Sequence, residues 1–354
     1  MNGFRKPVRL SLALQGGGAH GAYTWGVLDA LLADGRWAFD AVSGSSAGAL
    51  NAIVLADGLA RGGGDPDVAR AALAAFWAEV GTVLPFEWFA GGDPDQPGLA
   101  PMARVALQWT QLLSPYQLNP LGLNPLRELL LRCVDFERLR AASPLRLHIA
   151  ATSARTGALR LFREHELTVD MAMASACLPT LHHAVEVDGE AWWDGGYSAN
   201  PALSPLVEPS PDGRPQADDL LIVMLSPLAY AAPGAKAPTS VAEIRARAAE
   251  IAFNATFRCE AAQLGAACDA AAAESWLAAR LAGPRQRRLC RLRWHLIDAQ
   301  DALAPLASET KLLAHRPFLE KLHGLGHARA QLWQEGDAAR VGKSSTVHLP
   351  TWFA

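Results

Sequence analysis

The first apolar cluster is Val8–Leu14 (VRLSLAL), a short run ending in glycines, which predicts a buried strand. From Ala19 to Ala33 the spacing becomes helical, with Ala22, Trp25, Val27, Leu28, Leu31 and Leu32 on one face. Phe39–Ser43 then predicts a second strand and Ala47–Leu59 a second helix. Strand, helix, strand, helix in so short a span implies parallel strands joined by right-handed crossovers. Further on, Leu145–Ser153 and Ala158–Phe162 read as strands about a turn at Gly157, and Thr168–Cys177 as a helix. Val185–Trp193 alternates around Asp188-Gly189, the dipeptide of a tight hairpin. Leu220–Leu225 has the continuous apolar character of a fully buried strand. Ser240–Leu281 is helical, Leu289–Ile297 alternates as a late strand, and the chain is helical again to about Gln334.

These elements predict an α/β fold: a doubly wound, mostly parallel central sheet with helices on both faces. It would occupy residues 8–226, with a mainly helical C-terminal extension, 227–354, packed on the same core. Residues 81–125 break the pattern. Pro85, Phe86, Trp88, Phe89, Trp109, Pro115 and Tyr116 crowd into a long irregular stretch, and its aromatic content predicts a lid or binding loop more than disorder. Ala231–Thr239 reads as a flexible connection.

Composition narrows the function classes. The chain has 354 residues, half of them hydrophobic, enough for one large core. A net charge of −3 gives no pull toward nucleic acid. The five cysteines (Cys133, Cys177, Cys259, Cys268 and Cys290) lack metal-type spacing and are expected to be small buried hydrophobes in a reducing compartment. The apolar stretch after the basic N-terminus is too short for a signal peptide, and no window is long enough to span a bilayer. The expected setting is the cytoplasm of a bacterium, with any membrane or lipid-body contact peripheral.

Three short motifs carry candidate chemistry. Gly16-Gly17-Gly18-Ala19-His20-Gly21 joins a strand to a helix, where glycines allow close backbone approach and the helix start adds N–H donors. Such a turn can hold a phosphate or an oxyanion. It also matches the G-x-G-x-x-G of dinucleotide-binding folds, which want an acidic residue at the end of the second strand. Asp40 lies near the beginning of that strand, and its end is Ser43-Gly44-Ser45-Ser46. Gly44-Ser45-Ser46-Ala47-Gly48, between strand and helix, has the setting of a nucleophile elbow with Ser46 at its centre. A serine needs a base. Asp194-Gly195-Gly196 offers a carboxylate on a tight, exposed turn, although an isolated Asp-Gly is most often only a turn.

The order and spacing of these motifs, with Ala174-Ser175-Ala176-Cys177-Leu178-Pro179 between the second and third, resemble the patatin-like phospholipase family over about residues 8–226. The resemblance implies a lipid acyl hydrolase with a Ser–Asp dyad, Ser46 as nucleophile and Asp194 as general base. It places the oxyanion hole in the backbone of Gly16, Gly17 and Gly18, with Gly21, Gly44, Gly48, Gly195 and Gly196 supporting the motifs. It requires no cofactor and no metal. The family usually carries Lys or Arg where this chain has His20, so any electrostatic help from that position would vary with pH. The aromatic insert would then be a lid or a wall for the acyl chain.

Other readings stay open. A Ser-His-Asp triad would draw on His295, His315, His323, His327 or His348, none of which follows a clear strand in a glycine-rich loop. A nucleotide-binding protein and a non-catalytic lipid- or granule-binding module are the alternatives in function. His182-His183 reads as a solvated loop pair. The cluster Arg285, Arg287, Arg288, Arg291 and Arg293 reads as a solvated face or a site of attraction to anionic lipid. Phospholipid, monoacyl lipid and storage polyester all remain compatible substrates, and the oligomeric state is open.

Overall fold

The computed structural model describes residues 7–82, 90–93, 96–100, 102, 103, 105, 113–210, 212–226, 237–273, 282–306 and 308–353. Strands β1 (Val8–Leu14), β2 (Trp37–Gly44), β5 (Arg146–Ser153), β9 (Asp219–Met224) and β10 (Arg293–Asp298) run parallel in the order β10-β9-β1-β2-β5. Antiparallel strands close the other edge: β8 (Glu190–Asp194) pairs with β5 and with β7 (Val185–Val187), while β6 (Leu159–Phe162) pairs back onto β5. A small hairpin, β3 (Ala90–Asp93) with β4 (Gln96–Leu99), stands apart from the sheet.

Period-two alternation sends successive strand residues into two cores. Leu10, Leu12 and Leu14 face helices α1 (Gly21–Asp34), α2 (Ala47–Arg61) and α3 (Pro66–Val80), whose Leu28, Ile53 and Phe76 are wholly buried there. Ala13, Leu220 and Ile222 face the opposite layer, where Phe257 and Leu264 of the long helix Val241–Ala273 close the second core. The sheet is therefore covered on both faces, as its apolar strands require. From β1 the chain winds outward through β2 to β5, and later returns to the other side of β1 at β9. That reversal puts a topological switch point between β1 and β9, where α/β sheets open a crevice at their carboxyl ends.

The hairpin turn sits at Asp188 and Gly189, whose φ values of 54° and 75° are those a two-residue turn of this hand needs. The late strand starts at Arg293 and not at Leu289, because Pro284 opens a short helix, Pro284–Leu289, with proline in its first turn. That strand joins the main sheet beside β9, and helix Arg316–Glu335 packs along α1. The long helix is described from Val241 to Ala273. Of the aromatic insert, Trp88 and Trp109 lie outside the described residues, as does most of the connection before Thr239.

The arginine cluster divides: Arg285, Arg287 and Arg291 are exposed, as a solvated face requires, whereas Arg288 and Arg293 depart from that reading. Arg288 is buried and donates to the carbonyls of Leu206, Val207 and Ala217 at 2.6, 2.7 and 3.0 Å. Arg293 holds Asp219 with two bonds, and Arg285 pairs with Glu208. These cations tie β10 and the helix before it to the rest of the second core. The cysteines also differ from expectation: Cys177 is buried, Cys133 and Cys268 are half-buried, and Cys259 and Cys290 are exposed. Among the described residues no helix is long and apolar enough to cross a membrane.

Candidate active site

Ser46 ends the turn between β2 and α2. Its φ of 53° and ψ of −126° lie where a side chain other than hydrogen is strained, as expected of a serine forced out of a sharp strand-to-helix turn. From Ala41 to Leu50 every residue is buried except Ser46, which is half-buried. The turn is held by neighbours distant in sequence. Ser46 N donates to the buried Ser175 Oγ at 3.2 Å, and Ser45 Oγ donates to Ala199 O.

The glycine turn after β1 packs directly on this elbow. A Cβ on Gly16 would lie 2.7 Å from Ser45 O and 2.8 Å from Ser46 Cβ, so only glycine lets the two turns meet. Gly16 N donates to Asn200 Oδ1 at 2.7 Å. Its N–H is thus committed, which corrects the expectation that Gly16 is an oxyanion donor: its part is close approach. Among the described residues the N–H groups of Gly17 and Gly18 have no acceptor, and these two residues are the half-buried and exposed tip of the turn. Gly18 has φ +59°, which favours glycine.

Asp194 ends β8 with its backbone fixed on both sides. Its N–H donates to Cys177 O at 2.8 Å, and its carbonyl accepts from Thr152 Oγ1 at 2.8 Å. Oδ1 accepts from Gly196 N at 2.7 Å; Oδ2 is buried with no hydrogen-bond partner among the described residues. The side chain is wholly buried, contrary to the exposed turn expected from Asp-Gly-Gly. Pairing of β8 with β5 seats Asp194 opposite Ala151, and the Phe253 ring packs over Gly196. Burial pushes the carboxyl pKa up to about 7, against the opposing pull of the Gly196 N–H and the nearby Ser46 hydroxyl. Ser175 holds the Ser46 amide and Cys177 holds the Asp194 amide, so the Ala174–Pro179 segment braces both residues.

Gln15, Asn200 and Asn254 carried no signal in the sequence, yet they build the floor. Gln15 Oε1 accepts from Leu225 N and Ser226 N, both at 2.7 Å, and its Nε2 donates to Asn254 Oδ1 at 2.8 Å. This network locks the end of β1 to the end of β9 and to the long helix.

His20 does not behave as a pH-dependent cation. It is buried, its Nε2 bonds to Thr310 Oγ1 at 2.8 Å, and burial together with nearby Lys311 lowers its pKa to about 3. It is neutral across the working range. Four of the five triad candidates are engaged elsewhere: His295 with Asp219, His323 and His327 with Asp29, and His348 with Asp269; the fifth, His315, precedes helix Arg316–Glu335. No histidine among the described residues bonds to Ser46 or Asp194. His182 and His183 are not a solvated pair, since His182 Nδ1 is buried and His183 stacks on Tyr116 with ring centroids 4.0 Å apart. Asp40 bonds Ser11, Arg146 and Ala217 N, which leaves it no freedom to hold a ribose.

A model of the family described as patatin-like phospholipase matches residues 12–207, a span that contains all four motifs. This chain belongs to the patatin-like phospholipase family. Family membership makes it a protein of the lipid acyl hydrolase class. Two solved structures are similar to this patatin-like chain. VipD from Legionella pneumophila is 16% identical over 91% of this chain and 67% of its own, with a TM-score of 0.37. The structure of the ExoU–SpcU heterodimer from the type III secretion system of Pseudomonas aeruginosa matches at 17% identity, covering 92% of this chain and 52% of that one, with a TM-score of 0.30. The patatin-like chain thus spans about half the length of the second. No curated protein matches it.

A cavity of about 510 Å³ opens between Cys268, Trp294, Arg340 and Leu349, and none of its lining residues belongs to the four motifs. Among the described residues no group of three or more His, Cys, Asp or Glu side chains could hold a metal ion.

Proposed function

We propose that this patatin-like chain hydrolyses carboxylic esters of lipids through an acyl-enzyme on Ser46, with Asp194 as the general base. The observation that carries the reading is the state of Asp194: a buried carboxylate beside the strained Ser46, with Oδ2 unengaged and a pKa of about 7. A base poised near the working pH is the most effective proton acceptor.

In the first half-reaction Ser46 Oγ attacks the ester carbonyl as its proton passes to Asp194. The amides of Gly17 and Gly18 receive the oxyanion. Collapse of the intermediate breaks the bond to the alcohol, which takes the proton from Asp194. Water then repeats the sequence on the acyl-enzyme and releases the fatty acid. No step calls on a metal or cofactor. Tyr197 and Phe253, with ring centroids 4.5 Å apart beside Gly196, offer an apolar edge for the acyl chain. The insert at 81–125 would extend that wall. Residues 8–226 would be the catalytic domain, with 227–354 as its brace, acting on a lipid ester at a membrane or lipid body from the cytoplasmic side.

The test is labelling with a fluorophosphonate followed by mass mapping of the adduct. Wild type should carry it on Ser46. Ser46→Ala should fold, fail to label, and lose roughly 10⁴-fold or more of its ester hydrolysis. Turnover retained by pure Ser46→Ala would end the proposal.

A further inference from the structure

Lys311 stands beside the glycine turn and forms no ion pair among the described residues. It belongs to a short segment, Ser308–Leu312, that packs on Gly18–His20. A Cβ on Gly18 would lie 2.3 Å from Lys311 O, so the two backbones are in contact, and the preceding residue, Thr310, holds the His20 ring. A Cβ on Gly18 would also lie 3.7 Å from Lys311 Cβ, so the side chain leaves the backbone against the glycine turn. Its positive charge opposes protonation of His20, and the negative charge of Glu250 favours the charged ammonium. Glu250 lies one helical turn before Asn254, the residue that bonds Gln15 next to Gly16, and is itself paired with Arg247 at 3.1 Å. Among the described residues no carboxylate lies within ion-pair distance of Lys311. Burial pushes its ammonium below the ordinary lysine pKa.

A half-buried cation with no ion pair among the described residues disfavours folding, and such groups persist where function uses the charge. Here the side chain starts against the turn whose two amides, those of Gly17 and Gly18, have no acceptor among the described residues. Donors and a fixed charge around one turn make a site for an anionic oxygen. We infer that Lys311 stabilises the acyl oxyanion electrostatically, supplying positive charge to the glycine turn from the C-terminal part of the chain. This inference rests on the serine-hydrolase reading of Ser46. A contribution made only when the oxyanion forms belongs in kcat and not in KM.

The experiment compares wild type, Lys311→Met and Lys311→Arg on a soluble neutral ester, p-nitrophenyl butyrate, and on phosphatidylglycerol micelles. Lys311→Met should lower kcat on the neutral ester roughly 10- to 100-fold with KM changed less than about twofold, and its melting temperature should not fall. Lys311→Arg should stay within about fivefold of wild type. If Lys311→Met folds poorly, Lys311→Gln carries the same comparison. Wild-type kcat in a folded uncharged variant would overturn the inference, and so would equal losses in the Met and Arg variants. A loss confined to the phosphate-bearing lipid would overturn it too, by making Lys311 a headgroup contact. Labelling separates the two levels. A wild type that forms no adduct on Ser46 removes the hydrolase reading and this inference together; an adduct with full kcat in Lys311→Met removes only the inference.

Discussion

Asp194→Asn should be nearly inactive, and yet gain stability over wild type as the pH rises. A carboxyl whose pKa goes from 3.8 in the unfolded chain to about 7 in the folded one binds its proton more tightly when folded. Its contribution to stability is fully present below pH 3.8, is lost progressively as the pH rises to about 7, and stays lost above that. The loss is on the order of 4 kcal/mol in total, of which about 3 kcal/mol falls between pH 5 and pH 8. Asparagine keeps the shape and never ionises. Its amide would replace the unpartnered Oδ2 and leave a buried donor unsatisfied, at about 1–3 kcal/mol, a cost that is the same at every pH. The difference in stability between variant and wild type should therefore swing by about 3 kcal/mol in the variant's favour from pH 5 to pH 8. Urea unfolding of both proteins at the two pH values measures it, with all other titrating groups cancelling. Ester hydrolysis by the same samples should fall nearly to the level of Ser46→Ala, because the two residues act as one unit. A swing below about 1 kcal/mol would mean that Asp194 titrates as an ordinary carboxylate, and the proton-acceptor argument would lose its physical basis.

The pH profile follows from the same shift: kcat/KM on a soluble ester should rise as Asp194 ionises, levelling off above about pH 7, and a flat profile from pH 5.5 to 8 would contradict it. Gly16→Ala puts a methyl group 2.8 Å from Ser46 Cβ, so the serine must move; a loss of about 10²-fold in kcat with an unchanged circular dichroism spectrum is expected, and unaltered kcat would refute the close approach. Arg288→Met leaves the carbonyls of Leu206, Val207 and Ala217 without their donor, and should lower unfolding stability by about 2–4 kcal/mol without changing binding to anionic vesicles. Reduced vesicle binding at unchanged stability would restore the lipid reading of that cluster.

The parts of the fold that could be read from the sequence are those set by local pattern. The apolar run of β1, the strand-to-helix context of Ser46 and the Asp188-Gly189 turn each express a constraint that acts within a few residues. What could not be read lies in bonds across the chain. Gly16 to Asn200 spans 184 positions, Gln15 to Asn254 spans 239, and His20 to Thr310 spans 290. The same limit explains the misreading of Asp194. Asp-Gly-Gly describes a turn, whereas its burial is imposed by pairing with β5 and by the Phe253 ring, neither of which leaves a mark near residue 194. The neutrality of His20 is hidden for the same reason, since part of what buries it and the nearby Lys311 charge come from the far end of the chain. The arginines show the converse: a local excess of charge suggests a surface, but the acceptors that absorb Arg288 lie more than seventy positions away.

The stretch matched by the family ends at Val207, but the glycine turn within it is gripped from beyond that boundary by Asn254, Thr310 and Lys311. Competence and family membership are therefore separable properties of this chain. A protein shortened after β9 could keep Ser46 and Asp194 in sequence, and even pair most of its strands, while the turn that must receive the oxyanion lost its outer half. For the same reason, tails are not interchangeable among relatives. A foreign C-terminal segment that offers no acceptor to Gln15 and no hydroxyl to His20 would have to be accompanied by changes at those two positions, so residues 15 and 20 should covary with the tail and not with the elbow.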